Sequence, residues 1–143
     1  MKDFITEADK KSIVDAIKEA ELNTSGEIRV HIESSCKGDV LDRAAYLFKK
    51  LQMHKTEQRN GVLFYLAYKD HKFAILGDGG INQKVPDNFW DRIKEKMAEK
   101  FREGKFAEGL AEGIKESGEQ LKTHFPYQSD DVNELSDEIS FGD

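Results

Sequence analysis

Glu27, Asn60, Asp78 and Asp87 are the residues of this chain with the best combined claim to chemistry. All four offer oxygen, and no cysteine or histidine stands with them at ligand spacing. A hard, oxygen-only set suits Ca²⁺ or Mg²⁺ rather than zinc. Asp78 lies within Gly77-Asp78-Gly79-Gly80, a loop that can set a carboxylate beside several unhindered backbone amides. Asp and Glu at element ends also cap helices and turns in solvent. Spacing alone leaves both readings open.

Other chemistries fail on residue type or spacing. Cys36, in a loop between a strand and a helix, invites comparison with cysteine-dependent phosphatases, whose phosphate loop needs an arginine six positions later. Asp42 holds that position, Arg43 comes one too late, and Asp39 would repel a phosphate. Cys36 therefore reads as a structural thiol. The chain has no GxxxxGK[ST] loop, no GxSxG elbow and no HExxH pair. His31, His54, His71 and His124 are scattered, and Pro86 delays the helix after the glycine loop too long for a dinucleotide fingerprint.

The elements that must position these residues centre on residues 60–80. Residues 61–68 (GVLFYLAY) form an apolar run that reads as a strand buried on both faces. A polar break of hairpin length leads to residues 73–76 (FAIL), a second strand. Upstream, residues 27–33 (EIRVHIE) alternate strictly, which predicts a strand with one wet face, near a sheet edge rather than its centre. Helical spacing predicts a helix capped by Thr6 and running to about Glu21, and another capped by Asp39 and running to about Leu51. A third starts at Pro86 and carries Phe89, Trp90, Ile93, Met97 and Phe101 on one face. The last runs from Phe106 to about His124, with Gly109 and Gly113 marking close packing on a neighbour. Residues 52–59 read as a polar, mobile loop.

The order α-β-α-β-β-α-α predicts a three-layer α/β/α sandwich, Rossmann-like, around a small mixed sheet. If the first two strands are parallel and the third returns antiparallel, Glu27 and Asn60 (strand starts) and Asp78 (strand end) share one edge. Asp87 and Asp91 open the helix after the glycine loop, close to that edge.

The 143 residues fit one domain, 38% hydrophobic and 35% charged. The net charge of −6 comes from residues 128–143, which hold six acids and no Lys or Arg. The rest is neutral and carries no basic stripe, which argues against nucleic acid as a partner. No secretory signal and no apolar run near the ~18 residues of a membrane helix are visible, so no membrane anchor and a cytoplasmic location are expected. The expected division is a domain over residues 1–126 and an acidic tail over 127–143. Val132, Leu135 and Ile139 recur at helical spacing in that tail, so it either docks on a partner or its own domain, or is disordered.

Five stretches together resemble the TPM domain family. They are Thr24-Ser25-Gly26-Glu27-Ile28, Asn60-Gly61-Val62-Leu63, Asp70-His71-Lys72, Leu76-Gly77-Asp78-Gly79, and Phe106-Ala107-Glu108-Gly109-Leu110 with Gly113. The resemblance spans residues 4–125. It implies a Rossmann-like α/β sandwich, divalent-cation binding by acids near strand ends, and an acid phosphatase activity in plant members. It carries Glu27 and Asp78 over as the best-matched acids, followed by Asn60 and Asp70. Many members also have a signal sequence and a membrane anchor, or a glycine-rich C-terminus; neither is visible in these residues, so a membrane-associated role is not expected. Two functions follow as expectations. One is a monomeric, divalent-cation-binding interaction module with a protein partner; the other is a metal-assisted acid phosphatase. For the second, Arg59, Lys84 and Arg92 are candidate phosphate clamps, and no nucleophile is evident.

Overall fold

The computed structural model describes residues 5–127 and 135–142. The elements are α1 (Glu7–Asn23), β1 (Glu27–Glu33), α2 (Val40–Lys50), β2 (Gly61–Ala67), β3 (Lys72–Gly77), α3 (Gly79–Lys84), α4 (Asp91–Arg102), α5 (Phe106–Leu121) and β4 (Ser140–Phe141). They form one mixed sheet in the order β3-β2-β1-β4. β1 runs parallel to β2 and to β4, while β2 and β3 form the antiparallel hairpin.

β2 sits inside because its sequence admits nothing else: all seven of its residues are buried. On one face Val62, Phe64 and Leu66 join Ile28, Val30 and Ile32 beneath α1, α4 and α5. On the other, Leu63, Tyr65 and Ala67 pack with Ala44, Leu47 and Phe48 of α2. The helices stop and start where local chemistry directs. Thr6 and Asp9 exchange side-chain-to-backbone hydrogen bonds of 3.0 Å at the start of α1. Asp39 Oδ1 accepts the Leu41 and Asp42 amides at the start of α2. Gly104, at φ +77°, turns the chain out of α4. Among the described residues no helix is long and apolar enough to cross a membrane.

Four expectations need correction. The glycine loop is not a loop throughout, because Asp78 caps the short helix α3, and Pro86 then lies in a turn ahead of α4. Residues 52–59 are anchored to the core at two points while most of the segment is exposed: Met53 and Thr56 are buried, and the Met53 amide donates to Phe48 O at 3.0 Å. β1 has no wet face, since Glu27, His31 and Glu33 are buried and β4 covers its outer edge. The tail, expected either to dock or to be disordered, lies partly in residues 128–134, outside the described residues. Residues 135–142 instead run beside β1 and add β4, with the Gly142 amide donating to Ile32 O at 2.9 Å.

Close approach explains the glycines of α5. A Cβ on Gly113 would meet Met97 Sδ of α4 at 2.5 Å, and one on Gly118 would meet the Ala20 Cα of α1 at 2.7 Å. The first obstacle is a flexible side chain; the second is backbone. Gly118→Ala should therefore cost about 1–3 kcal/mol by prising α1 from α5. Gly79→Ala, where an added Cβ meets nothing within 4 Å, should stay within about 0.5 kcal/mol of the parent. Urea unfolding of the two variants checks the contrast; equal midpoints would refute the close-approach account.

Candidate functional site

The starts of β1 and β2 and the end of β3 meet at one sheet edge, and three of the expected residues are there. The parallel ladder opens with the Glu27 amide donating to Asn60 O at 3.1 Å, and the Asp78 amide donates to Gly61 O at 2.9 Å. Glu27, Asn60 and Asp78 are only 4%, 2% and 7% exposed. Asn60 Nδ2 donates to Ser25 O at 3.0 Å, while its Oδ1 is buried with no hydrogen-bond partner among the described residues. Such an acceptor is the kind of group that a ligand satisfies. Glu27 Oε1 accepts the amide of Leu135 at 3.0 Å, so the C-terminal segment closes over this edge.

Asp78 is held firmly. Arg59 grips it with two bonds of 2.8 Å, and Asp78 Oδ1 also accepts the Gly79 amide at 2.7 Å. Arg59 does this from a left-handed backbone, φ 52°, which its carbonyl stabilises by accepting the Gly80 amide at 2.9 Å. Of the three cations proposed as clamps, Arg59 alone has a described ion pair with the acids of this edge. Glu21, from the end of α1, accepts the Ile28 amide at 3.3 Å and bonds Asp137; burial first, then Asp137, pushes its carboxyl up to about 9.

The other two expected residues lie elsewhere. Asp70 sits in the β2–β3 turn, a full strand length from Asn60, where it accepts the Cys36 amide at 2.7 Å. Its carboxylate organises the loop after β1, which Lys72 also ties down by donating to Cys36 O and Gly38 O at 2.9 and 3.1 Å. Asp87 is exposed in the turn between α3 and α4. Among the described residues, no group of three or more His, Cys, Asp and Glu is arranged to hold a metal ion.

A second polar cluster, absent from the expected site residues, lies at the far end of β1. Glu33, 2% exposed, accepts Arg43 Nε and Nη2 at 2.9 and 2.8 Å, the Tyr65 hydroxyl, and a 3.2 Å contact from His31 Nε2. His31 Nδ1 lies 2.9 Å from Ser140 Oγ of β4. Burial alone would raise the Glu33 carboxyl, but the hydrogen bonds from Arg43, Tyr65 and His31 outweigh it and hold it at about 2. Burial lowers His31 from its ordinary value despite the Glu33 carboxylate. It raises Tyr65, with Glu33 adding to the effect. His31, Glu33, Cys36, Arg43, Phe141 and Gly142 line a cavity of about 860 Å³ over this cluster. The available signal was the pairing of a charged strand face with Tyr65, a hydroxyl inside an otherwise apolar run.

Comparison with known proteins fits this geometry. The TPM domain pattern matches residues 1–120. The BA42 protein of the psychrophilic bacterium Bizionia argentinensis, solved by NMR, is 47% identical over 97% of this chain and 96% of its own, with a TM-score of 0.92. The N-terminal domain of a P. gingivalis protein (21% identity, 85% of this chain and 79% of that one, TM-score 0.70) shares the fold. So does that of the Corynebacterium glutamicum protein cg2496 (16%, 94% and 79%, TM-score 0.62). No curated protein sequence matches the chain. The chain belongs to the TPM domain family.

The buried carboxylate sets an acid limit on stability. Glu33 has its folded pKa below its unfolded one, so its contribution is complete above the ordinary value of 4.5 and is lost as pH falls toward about 2. That difference corresponds to roughly 3 kcal/mol. His31, also lowered, loses its share as pH falls below its ordinary 6.5. Glu33→Gln should be less stable than the parent by about 2–4 kcal/mol at pH 7. The gap should narrow steadily between pH 4.5 and about 2. Urea unfolding across that range measures it; a gap independent of pH would show that Glu33 titrates normally.

Proposed function

We propose that this TPM domain is a divalent-cation-binding interaction module, with Ca²⁺ or Mg²⁺ taken at the edge formed by Glu27, Asn60 and Asp78. One observation carries the reading: Asn60 Oδ1 is buried without a partner among the described residues. Leaving such an acceptor unsatisfied costs about 1–3 kcal/mol, and a hard cation is a partner an amide oxygen can take. Glu27, joined to Asn60 through the first rung of the ladder, would supply the negative charge. Asp78 is already neutralised by Arg59, so it would serve chiefly to fix the glycine turn. With one or two carboxylates and an amide, the ion would keep several waters, which is the habit of Mg²⁺.

In this reading the ion stiffens residues 77–80 and the start of β2, and so shapes a surface for a protein partner. The molecule acts as a monomer in the cytoplasm. Arg59 favours the alternative, a metal-assisted acid phosphatase in which the ion would polarise a phosphoryl oxygen, because a guanidinium stands at the same edge. Its engagement with Asp78 keeps this reading second.

The test is a titration of the full chain with CaCl₂ and, separately, MgCl₂, followed by backbone amide shifts. Saturable shifts are expected at Glu27, Asn60 and residues 77–80. Asn60→Ala should weaken the ion by on the order of tenfold, the loss of one neutral ligand. Shifts confined to residues 128–143 would overturn the module. Hydrolysis of p-nitrophenyl phosphate that follows the added metal and disappears in Asp78→Asn would transfer the proposal to the phosphatase.

A further inference from the structure

We propose that Ser140, Phe141 and Gly142 form a proton-sensitive latch, which is closed over the His31–Glu33 cluster while His31 is neutral and released when His31 takes a proton. The latch is independent of the cation edge, at the opposite end of β1.

Three contacts place the latch on the cluster. Ser140 Oγ meets His31 Nδ1 at 2.9 Å. The Gly142 amide donates to Ile32 O at 2.9 Å. Gly142 itself lies directly on the acid–base pair, since a Cβ there would stand 2.5 Å from Glu33 Oε1 and 3.0 Å from His31 Nε2. The attachment is also slight. β4 pairs through two residues, His31 with Ser140 and Ile32 with Phe141. The Phe141 side chain remains 40% exposed, with Lys10 Nζ 5.3 Å from its ring centre. A two-residue parallel strand contributes little ladder, so small changes beneath it decide whether it stays.

His31 is the group under it whose ordinary value lies nearest neutral pH, and burial lowers it from there. Its neighbours come from four elements. β1 supplies Glu33 and Arg29, α2 supplies Arg43, β2 supplies Tyr65 in a stacked ring pair with centroids 6.1 Å apart, and the latch supplies the neutral Ser140. Glu33 is already matched by Arg43, so a proton on His31 adds a net positive charge in a place closed to water. Burial is the largest influence on His31 and favours its neutral form. Lifting residues 140–142 opens Nδ1 to solvent and removes part of that penalty, while the Glu33 contact survives. A proton is then bound more tightly in the open form, and linkage requires that acid favour opening. Opening exposes the outer edge of β1 and widens the mouth of the cavity above Glu33 and Arg43.

Amide hydrogen exchange of Gly142 in the full chain, corrected for intrinsic rates, reads the latch. Between pH 7.5 and 5 its protection should fall, approaching about tenfold for each pKa unit that separates the open from the closed form. Residues 62–66 of the central strand should keep theirs. The fall should be absent in His31→Gln. A second measurement uses reciprocity: Gly142→Val cannot seat the latch, so the His31 imidazole, followed by its ring-proton shift, should titrate at higher pH than in the parent. Protection of Gly142 that is flat with pH, an equal fall in His31→Gln, or an unmoved imidazole midpoint in Gly142→Val would each overturn the latch.

Discussion

Everything in this molecule hangs on the burial of β2 on both faces. A seven-residue strand with no exposed residue must lie between two other strands and between two helical layers, because any other position would expose Phe64 or Leu63 to water. Fully burying such a side chain contributes about 1.5–3 kcal/mol, and the six large apolar or aromatic side chains of residues 62–68 compound the constraint. The chain meets it with a parallel neighbour on one side and a hairpin partner on the other. Strand direction follows, and with it the sorting of residues between two ends. Glu27, Asn60 and Asp78 go to one end, and Glu33, Asp70 and Cys36 go to the other.

That same constraint drags charge into the interior. β1 alternates apolar and charged residues, and its apolar side is claimed by α1 and α5. Its charged side is then pressed against α2 and the C-terminal segment. The two ends solve the resulting desolvation differently. Glu33 is given Arg43, Tyr65 and His31, enough donors to keep it ionised well below its ordinary value. At the other end Asp78 is satisfied by Arg59 and its own helix, while Asn60 Oδ1 has no donor among the described residues. One end is closed electrostatically, and the other keeps an acceptor open. This difference, more than the count of acids, is what supports the proposed cation at the second.

Much of this was legible in the residues. Periodicity placed β1 at its observed bounds, and the Asp39 cap located α2 correctly. Apolar continuity identified β2 as internal. The alternation of β1 tells which residues share a face but not whether that face meets water. Alternation encodes direction only; what covers the face is decided by partners distant in sequence, here Arg43, Tyr65 and Ser140. α3 was invisible because six residues with two glycines carry no helical pattern, and its existence depends on the Asp78 cap. β4 was invisible because two residues have no period at all. Asp70 was grouped with the metal ligands through family resemblance, although a turn residue between β2 and β3 must lie opposite Asn60.

The C-terminal segment is where local reading and tertiary structure part most widely. Compositionally it is an acidic tail; physically, residues 135–142 run the length of β1. Leu135 is bonded to Glu27 at one end, Asp137 to Glu21 beside it, and Ser140 to His31 at the other. These three attachments are polar and fall on titratable groups, the Gly142 amide bonds Ile32 O, and the apolar share is small: Leu135 and Ile139 are only partly buried against the two cores. A segment held this way gains little from hydrophobic area, so its docking free energy is sensitive to the ionisation of the groups beneath it. The core of the domain has the reverse character, with helices α1 and α5 locked by Ile13, Ile17 and Ile114, which no proton or salt can loosen directly. The molecule thus combines a body whose stability is set by packing with a strap whose position is set by charge. A strap of this kind is the element through which conditions in solution can reach the edge of β1 without disturbing the fold.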